Sequence, residues 1–202
     1  MFAAAFTLLA ELLSNIKFLV KIDILIQRLI MGFRFELLTK IFTLITNLGD
    51  TKMMVFWTAI AALLLFRKKQ YIYSLGIVLS IGIPELLSFI IKNAVDRHRP
   101  PAFMALVAEN SPSFPSGHTI AALSFFGFLI YFFNKNIANK SMRNLLNSLC
   151  VIIILMSGFI RIYLGAHWPS DVLASYILGG AWLWIIIILI EKHEKLLKSN
   201  KL

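Results

Sequence analysis

Eight residues in a mostly apolar chain, seven polar and one glycine, have types and spacings suited to one chemistry. Lys92 and Arg99 stand in KNAVDRHRP, Ser116, Gly117 and His118 in PSGH, and Arg161, His167 and Asp171 in RIYLGAHWPSD. Lys92, Arg99 and Arg161 are fixed cations with too few carboxylates nearby, and charges at the ends of apolar runs face a polar cavity or a partner. Their expected partner is an anion. In PSGH, Pro115 suits a helix start because it has no N–H to lose. Ser116 and Gly117 would offer free backbone N–H groups at the positive end of that helix, where phosphate binds well. Glycine also lets a ligand approach the backbone closely. His118, in the first turn, is placed to give a proton to an oxygen bound there. His167 and Asp171 are four apart, on one face if their segment is helical. A carboxylate that accepts the proton of one imidazole nitrogen leaves the other nitrogen bare, which prepares a nucleophilic histidine. Together these residues are equipped for phosphoryl transfer by positioning and charge stabilisation.

Each part alone has a plainer reading. A single interfacial lysine or arginine anchors headgroups; a lone His-x-x-x-Asp is structural; PSGH alone is a loop before a helix. A metal site drawn from His98, His118, His167, Asp96 and Asp171 would lack a compact ligand pair, so no metal or other cofactor is expected. The joint pattern favours the anion site.

The elements that hold these residues are membrane helices. The chain of 202 residues is 59% hydrophobic and 15% charged, with a mean hydropathy of +0.81. Soluble domains run nearer 45–50% apolar and about 25% charged, so lipid is the expected solvent. Apolar runs at 53–66, 71–91, 117–133, 145–164 and 172–190 are candidate spans. Residues 2–20 form a weaker one carrying Glu11 and Lys17. Residues 21–47 mix charges with apolar residues at helical spacing and read as an interfacial amphipathic helix. The expected fold is all-α, polytopic, with about six transmembrane helices, forming one integral-membrane domain over 1–202. The lone Cys150 allows no internal disulfide. The net charge of +10 sits in short loops between apolar runs, which marks membrane topology rather than nucleic-acid binding. Arg67–Lys69, Lys135–Arg143 and the lysines after 190 fall on one side, expected to be cytoplasmic. The eight residues then face outward. The basic 21–40 segment and the outward Lys92, Arg97 and Arg99 run against this bias, so those loop charges should have another task.

Lys92-x6-Arg99-Pro100, Pro115-Ser116-Gly117-His118 and Arg161-x5-His167-x3-Asp171 resemble the three-part signature of the type 2 phosphatidic acid phosphatases, membrane enzymes whose core is related to vanadium haloperoxidases. The resemblance implies that Lys92, Arg99, Arg161, Ser116 and Gly117 bind phosphate. It implies that His167 attacks phosphorus, that His118 protonates the leaving oxygen and that Asp171 orients His167. Water then releases phosphate without a metal. The family's usual serine before the third-motif arginine is Ile160 here, which removes a hydroxyl near the site.

The resemblance implies a bacterial cytoplasmic-membrane hydrolase with an extracytoplasmic site and a lipid phosphate substrate. Undecaprenyl diphosphate and phosphatidylglycerophosphate lead, with a lipid A phosphatase, a phosphotransferase or a catalytically silent lipid binder as alternatives. Asp96 and His98 should face solvent or headgroups. Glu85 reads as a protonated or paired structural group, Glu109 as a residue that tunes headgroup choice, Trp168 as an interface anchor and Pro112–Phe114 as a structural loop.

Overall fold

Uninterrupted apolar sequence becomes long helix wherever no breaker intervenes. The computed structural model describes residues 17–199. Among them are helices α1 (Lys17–Met31), α2 (Glu36–Leu48), α3 (Thr51–Arg67), α4 (Tyr71–Val95), α5 (Gly117–Asn136), α6 (Lys140–Tyr163) and α7 (Pro169–Ser199). Four of them, α4 to α7, are long and apolar enough to cross a membrane, and α2 with α3 forms a fifth, broken span bent by 50°. The expected six spans are therefore not matched among the described residues, where the count is four or five. Most of the 2–20 run lies outside the described residues.

α4, α5 and α7 enclose the main core, where Ile77, Phe128, Ile186 and Ile190 meet. Gly127 permits the close approach of α5 to α7, since a Cβ there would stand 2.5 Å from Leu183 Cδ2. The outer faces carry exposed side chains such as Leu155, Leu173, Ile177 and Trp184. Exposed apolar patches of this extent fit contact with lipid.

The 21–47 stretch differs from the expectation of one helix with its polar side outward. It is two helices broken at Gly32–Phe35. Asp23 and Gln27 are buried, whereas Leu25, Leu29, Phe33 and Leu37 are exposed. The inversion has a local cause. α6 ends at Tyr163, and its last carbonyls have no intrahelical donor. Gln27 Nε2 donates to Ile162 O at 2.8 Å and Arg34 Nε to Tyr163 O at 2.8 Å. These side chains cap the helix end that carries Arg161, and the apolar side of α1 is left to face lipid.

The turn from α6 into α7 depends on Gly165. Its φ is +68°, and a Cβ would collide with the Met104 carbonyl. A non-glycine residue in this region costs about 1–3 kcal/mol before any collision. Gly165→Ala is therefore expected to lower the melting temperature in detergent by several degrees and to reduce activity with it. An unchanged melting curve would contradict this account of the turn.

Candidate active site

Two connections close over one end of the bundle. The α4–α5 connection is tied to the α6–α7 turn through Leu106 N, which donates to Leu164 O at 2.8 Å. It is folded on itself through Ser113 N, which donates to Arg97 O at 2.8 Å. Lys92 in the last turns of α4, His118 in the first turn of α5 and Arg161 in the last turn of α6 thereby share this end with His167 and Asp171.

His167 is fully enclosed, and its Nδ1 lies 2.6 Å from Ser113 O. A carbonyl oxygen only accepts, so Nδ1 carries the proton and Nε2 keeps its lone pair. Nε2 lies 3.4 Å from Arg99 Nη1. Burial pushes this imidazole down to about 4; Asp171 opposes the shift, while Arg161 and Arg99 add to it. It is neutral at physiological pH. Asp171 Oδ2 is 3.7 Å from Nδ1, longer than a hydrogen bond. The direct acceptor is thus the Ser113 carbonyl, a correction to the expected one-to-one pairing of His167 with Asp171. Asp171 is linked to His167 one step removed: its Oδ2 accepts from Ser113 Oγ and from Trp168 N, the latter at 2.9 Å. Pro112–Phe114 is accordingly more than a structural loop.

The three cations do converge. Lys92 Nζ donates to Pro112 O at 2.7 Å, and Arg99 Nη2 reaches the same oxygen at 3.3 Å. Arg99 also donates to Ser111 O at 2.6 Å and Ala166 O at 2.5 Å. Arg161 is buried, its Nη1 donates to Thr46 Oγ1 at 3.1 Å, and its Nη2 pairs with Glu109 Oε1. Glu109 Oε2 stands 3.7 Å from Arg99 Nη2. Burial raises the Glu109 carboxyl, but Arg161 and Arg99 outweigh it and hold it below the ordinary carboxylate range. Among the described residues Glu109 is the one carboxylate within ion-pair distance of these cations, and Arg161 Nε is buried there with no acceptor.

The PSGH segment departs from expectation in two details. Ser116 is the N-cap and Gly117 the first residue of α5, so Pro115 lies just outside the helix. The Ser116 N–H is not free: it donates to Ser175 Oγ at 2.7 Å, and Ser116 Oγ accepts from Thr119 Oγ1 at 3.0 Å. Ser116 is wholly buried. Gly117 and His118 keep first-turn N–H groups that have no intrahelical acceptor. Around the Gly117 Cα, Thr51 Oγ1 and Glu85 Oε2 lie 3.7 and 3.8 Å from where a Cβ would stand. His118 Nε2 is 3.9 Å from Asp50 Oδ1. His118 also lines a cavity of about 430 Å³ whose walls include Met54, Trp57, Ala122, Met156 and Ile160. Glu85 Oε1 is buried with no hydrogen-bond partner among the described residues, and Asp96 and His98 are exposed. Trp168 donates its indole N–H to His98 O at 3.0 Å.

A family model described as the PAP2 superfamily matches residues 73–195, which include all eight of these residues. The chain belongs to that superfamily. It is 30% identical over 159 residues to phosphatidylglycerophosphatase B of Bacillus subtilis, covering 78% of each chain. To an undecaprenyl-diphosphatase of Sulfolobus acidocaldarius it is 26% identical over 160 residues, covering 71% of this chain and 70% of that one. The crystal structure of a transmembrane PAP2 type phosphatidylglycerolphosphate phosphatase from Bacillus subtilis superposes with a TM-score of 0.80 at 27% identity, over 96% of this chain and 94% of that one. Aquifex aeolicus LpxE shares the fold, with a TM-score of 0.65 at 24% identity over 81% of this chain and 93% of that one. The protein is thus an integral-membrane phosphatase with an all-helical PAP2 fold.

Within the PAP2 frame, Ile160 lies on the wall of the mostly apolar cavity. Sequence reasoning missed Ser113, Ser175, Thr46, Asp23 and the use of Arg97. Only Arg97 left a signal, as an unexplained cation in an outward loop.

Proposed function

We propose that this protein hydrolyses a lipid phosphate or diphosphate through a phosphohistidine at His167, on the extracytoplasmic face of a bacterial cytoplasmic membrane. The observation that carries the reading is the His167 tautomer: Nδ1–H is held by Ser113 O at 2.6 Å, and the bare Nε2 stands beside Arg99. A phosphate ester held by Lys92, Arg99, Arg161 and the Gly117 N–H would meet Nε2 in line. The Nε2 lone pair forms the N–P bond as the P–O bond to the lipid breaks, and His118 gives its proton to the departing oxygen. Water, deprotonated by the now neutral His118, then attacks phosphorus and frees phosphate and His167. Asp171 supports the Ser113 and Trp168 groups around His167. The excess of cations over the Glu109 carboxylate suits a phosphate dianion.

The apolar cavity with His118 on its wall supports a lipid on the leaving-group side. Phosphatidylglycerophosphate and undecaprenyl diphosphate are the substrates most in keeping with the relatives. The basic loops Arg67–Lys69 and Lys135–Arg143 lie at the opposite end of the bundle from the site, which supports a cytoplasmic position for them. Phosphate release from purified protein in detergent, measured over phosphatidylglycerophosphate, undecaprenyl diphosphate, phosphatidic acid and lipid A with a chelator present, tests this reading. One phosphate per lipid turned over is expected for at least one of the first two. Activity abolished by the chelator, or confined to lipid A, would contradict it.

Glu109 sets a further expectation. Its carboxylate lies between the two guanidinium groups that the substrate phosphate would use. Glu109→Gln is expected to lower KM several-fold with little change in kcat, because a competing charge is removed while the cations stay. A raised KM in steady-state assays would instead make Glu109 a positioning group for Arg161.

A further inference from the structure

Asp171 is completely buried, and Arg97 is the residue that meets its charge. Arg97 Nη1 pairs with Asp171 Oδ1, and Arg97 Nη2 donates to Asp23 Oδ2 at 2.7 Å. The side-chain exposures are 10% for Arg97, 3% for Asp23 and 0% for Asp171. Ser170 closes the arrangement. Its N–H donates to Asp23 Oδ1 at 2.9 Å, its Oγ donates to Asp23 Oδ2 at 2.6 Å, and it accepts from Arg97 Nη1 at 2.8 Å. One guanidinium therefore bridges two enclosed carboxylates, one from α1 and one from α7.

Such a triad is poor value as a stabiliser, since apolar residues of the same volume often do as well. Its position gives it another use. The Asp171 Oδ2 that Arg97 does not hold accepts from Ser113 Oγ, and Ser113 O holds the His167 Nδ1–H. Asp23 lies outside residues 73–195, the stretch matched by the family model. It comes from the amphipathic α1, whose polar side turns inward. We propose that Asp23 and Arg97 are positioning residues of the active site: the pair fixes the Asp171 carboxylate against Ser113 and so sets the orientation and electrostatic surroundings of His167. This rests on His167 being the nucleophile. Helix α1 is then a working part of the site rather than an anchor beside it.

The charge balance gives a readout that a purely structural role would not move. Asp23, Arg97 and Asp171 together carry one negative charge. Asp23→Asn makes the group neutral, which disfavours imidazolium at His167. Arg97→Gln makes it doubly negative, which favours imidazolium. The double variant restores one negative charge. The other charged or titratable groups facing His167 are Arg99 from the α4–α5 connection, Arg161 from α6 and His118 from α5. They are the same in all four proteins, as is the ionisation of the substrate.

The test is the pH profile of kcat/KM for full-length protein in detergent, with phosphatidylglycerophosphate or undecaprenyl diphosphate, whichever the wild type turns over. The acid limb reports the free enzyme. It is expected to move down by about one pH unit in Asp23→Asn and up by about one in Arg97→Gln, and to return in the double variant. Each single variant should lose about tenfold or more in kcat, with KM changed less than threefold, and Arg97→Lys should recover part of the loss. Limbs that superimpose on the wild type, or that move the same way in both single variants, would overturn the proposal. If Arg97→Gln does not fold, Asp23→Asn decides alone, and an unmoved limb overturns it. An active His167→Ala protein would instead remove the phosphohistidine reading underneath it. Superimposed limbs with His167→Ala inactive would remove only the role given to Asp23 and Arg97.

Discussion

His167→Ala is expected to lower phosphate release by at least about 10⁴-fold, the scale seen when a covalent nucleophile is removed. The physical grounds are local. His167 Nδ1 is committed to the Ser113 carbonyl, and burial keeps the ring neutral, so Nε2 holds a lone pair at every pH near neutrality. None of the other groups that meet there matches it: Lys92 and the arginines are cations, and His118 sits in the first turn of α5 with Asp50 as its nearest carboxylate. Truncation to alanine leaves Ser113 O without its donor but takes no charge from the site, so the protein should still fold. Phosphate binding should persist, because Lys92, Arg99 and Arg161 are untouched. The expected pattern is kcat lost with affinity kept, measured as inorganic-phosphate inhibition of the wild type against phosphate binding to the variant. Residual turnover above about one part in 10³ would mean that water, not His167, attacks phosphorus.

His118→Ala is expected to lose about 10²–10⁴-fold on phosphatidylglycerophosphate, the usual worth of a general acid. The size of the loss should depend on the leaving group. A lipid alkoxide needs a proton as it departs, whereas the phosphate leaving from a diphosphate needs it less, and nitrophenolate hardly at all. With 4-nitrophenyl phosphate the variant should therefore form phosphoenzyme quickly and then stall, since His118 also deprotonates the incoming water. One equivalent of nitrophenolate released in a burst, followed by slow turnover, is the expected stopped-flow trace. An equal loss on all three substrates with no burst would remove His118 from proton transfer and leave it as a wall of the apolar cavity.

The spacing of charged and small residues carried much of this site. Lys92, Arg99, Arg161 and His167 meet as the separations within their motifs suggested, because each motif lies at the end of an apolar run and those ends share one face. The long helices were legible for the same reason. Other features had no sequence signal. An amphipathic pattern reports that α1 has two sides, but in a lipid solvent it does not say which side meets protein; Gln27 turns inward, as does Arg34 just beyond the helix, to the carbonyls at the end of α6, and Asp23 turns inward to Arg97 and Ser170. Ser113 looked like loop filler because its partner is 54 residues away and the bond to His167 uses a backbone oxygen. The N–H of Ser116 could not be known to be taken, since its acceptor, Ser175, comes from two turns into α7. Glu109 was visible as a carboxylate but not as one held between two arginines.

The central claim is the covalent N–P bond, and rapid quenching under alkaline conditions tests it most directly. Wild-type protein is mixed with phosphate-radiolabelled substrate and stopped within the first turnover, and the peptide that carries the label is mapped. A label on His167 that survives alkali, is released by acid and, with radiolabelled 4-nitrophenyl phosphate as substrate, accumulates further in His118→Ala is the predicted result. An unlabelled protein in both the wild type and His118→Ala, with phosphate still released, would contradict it.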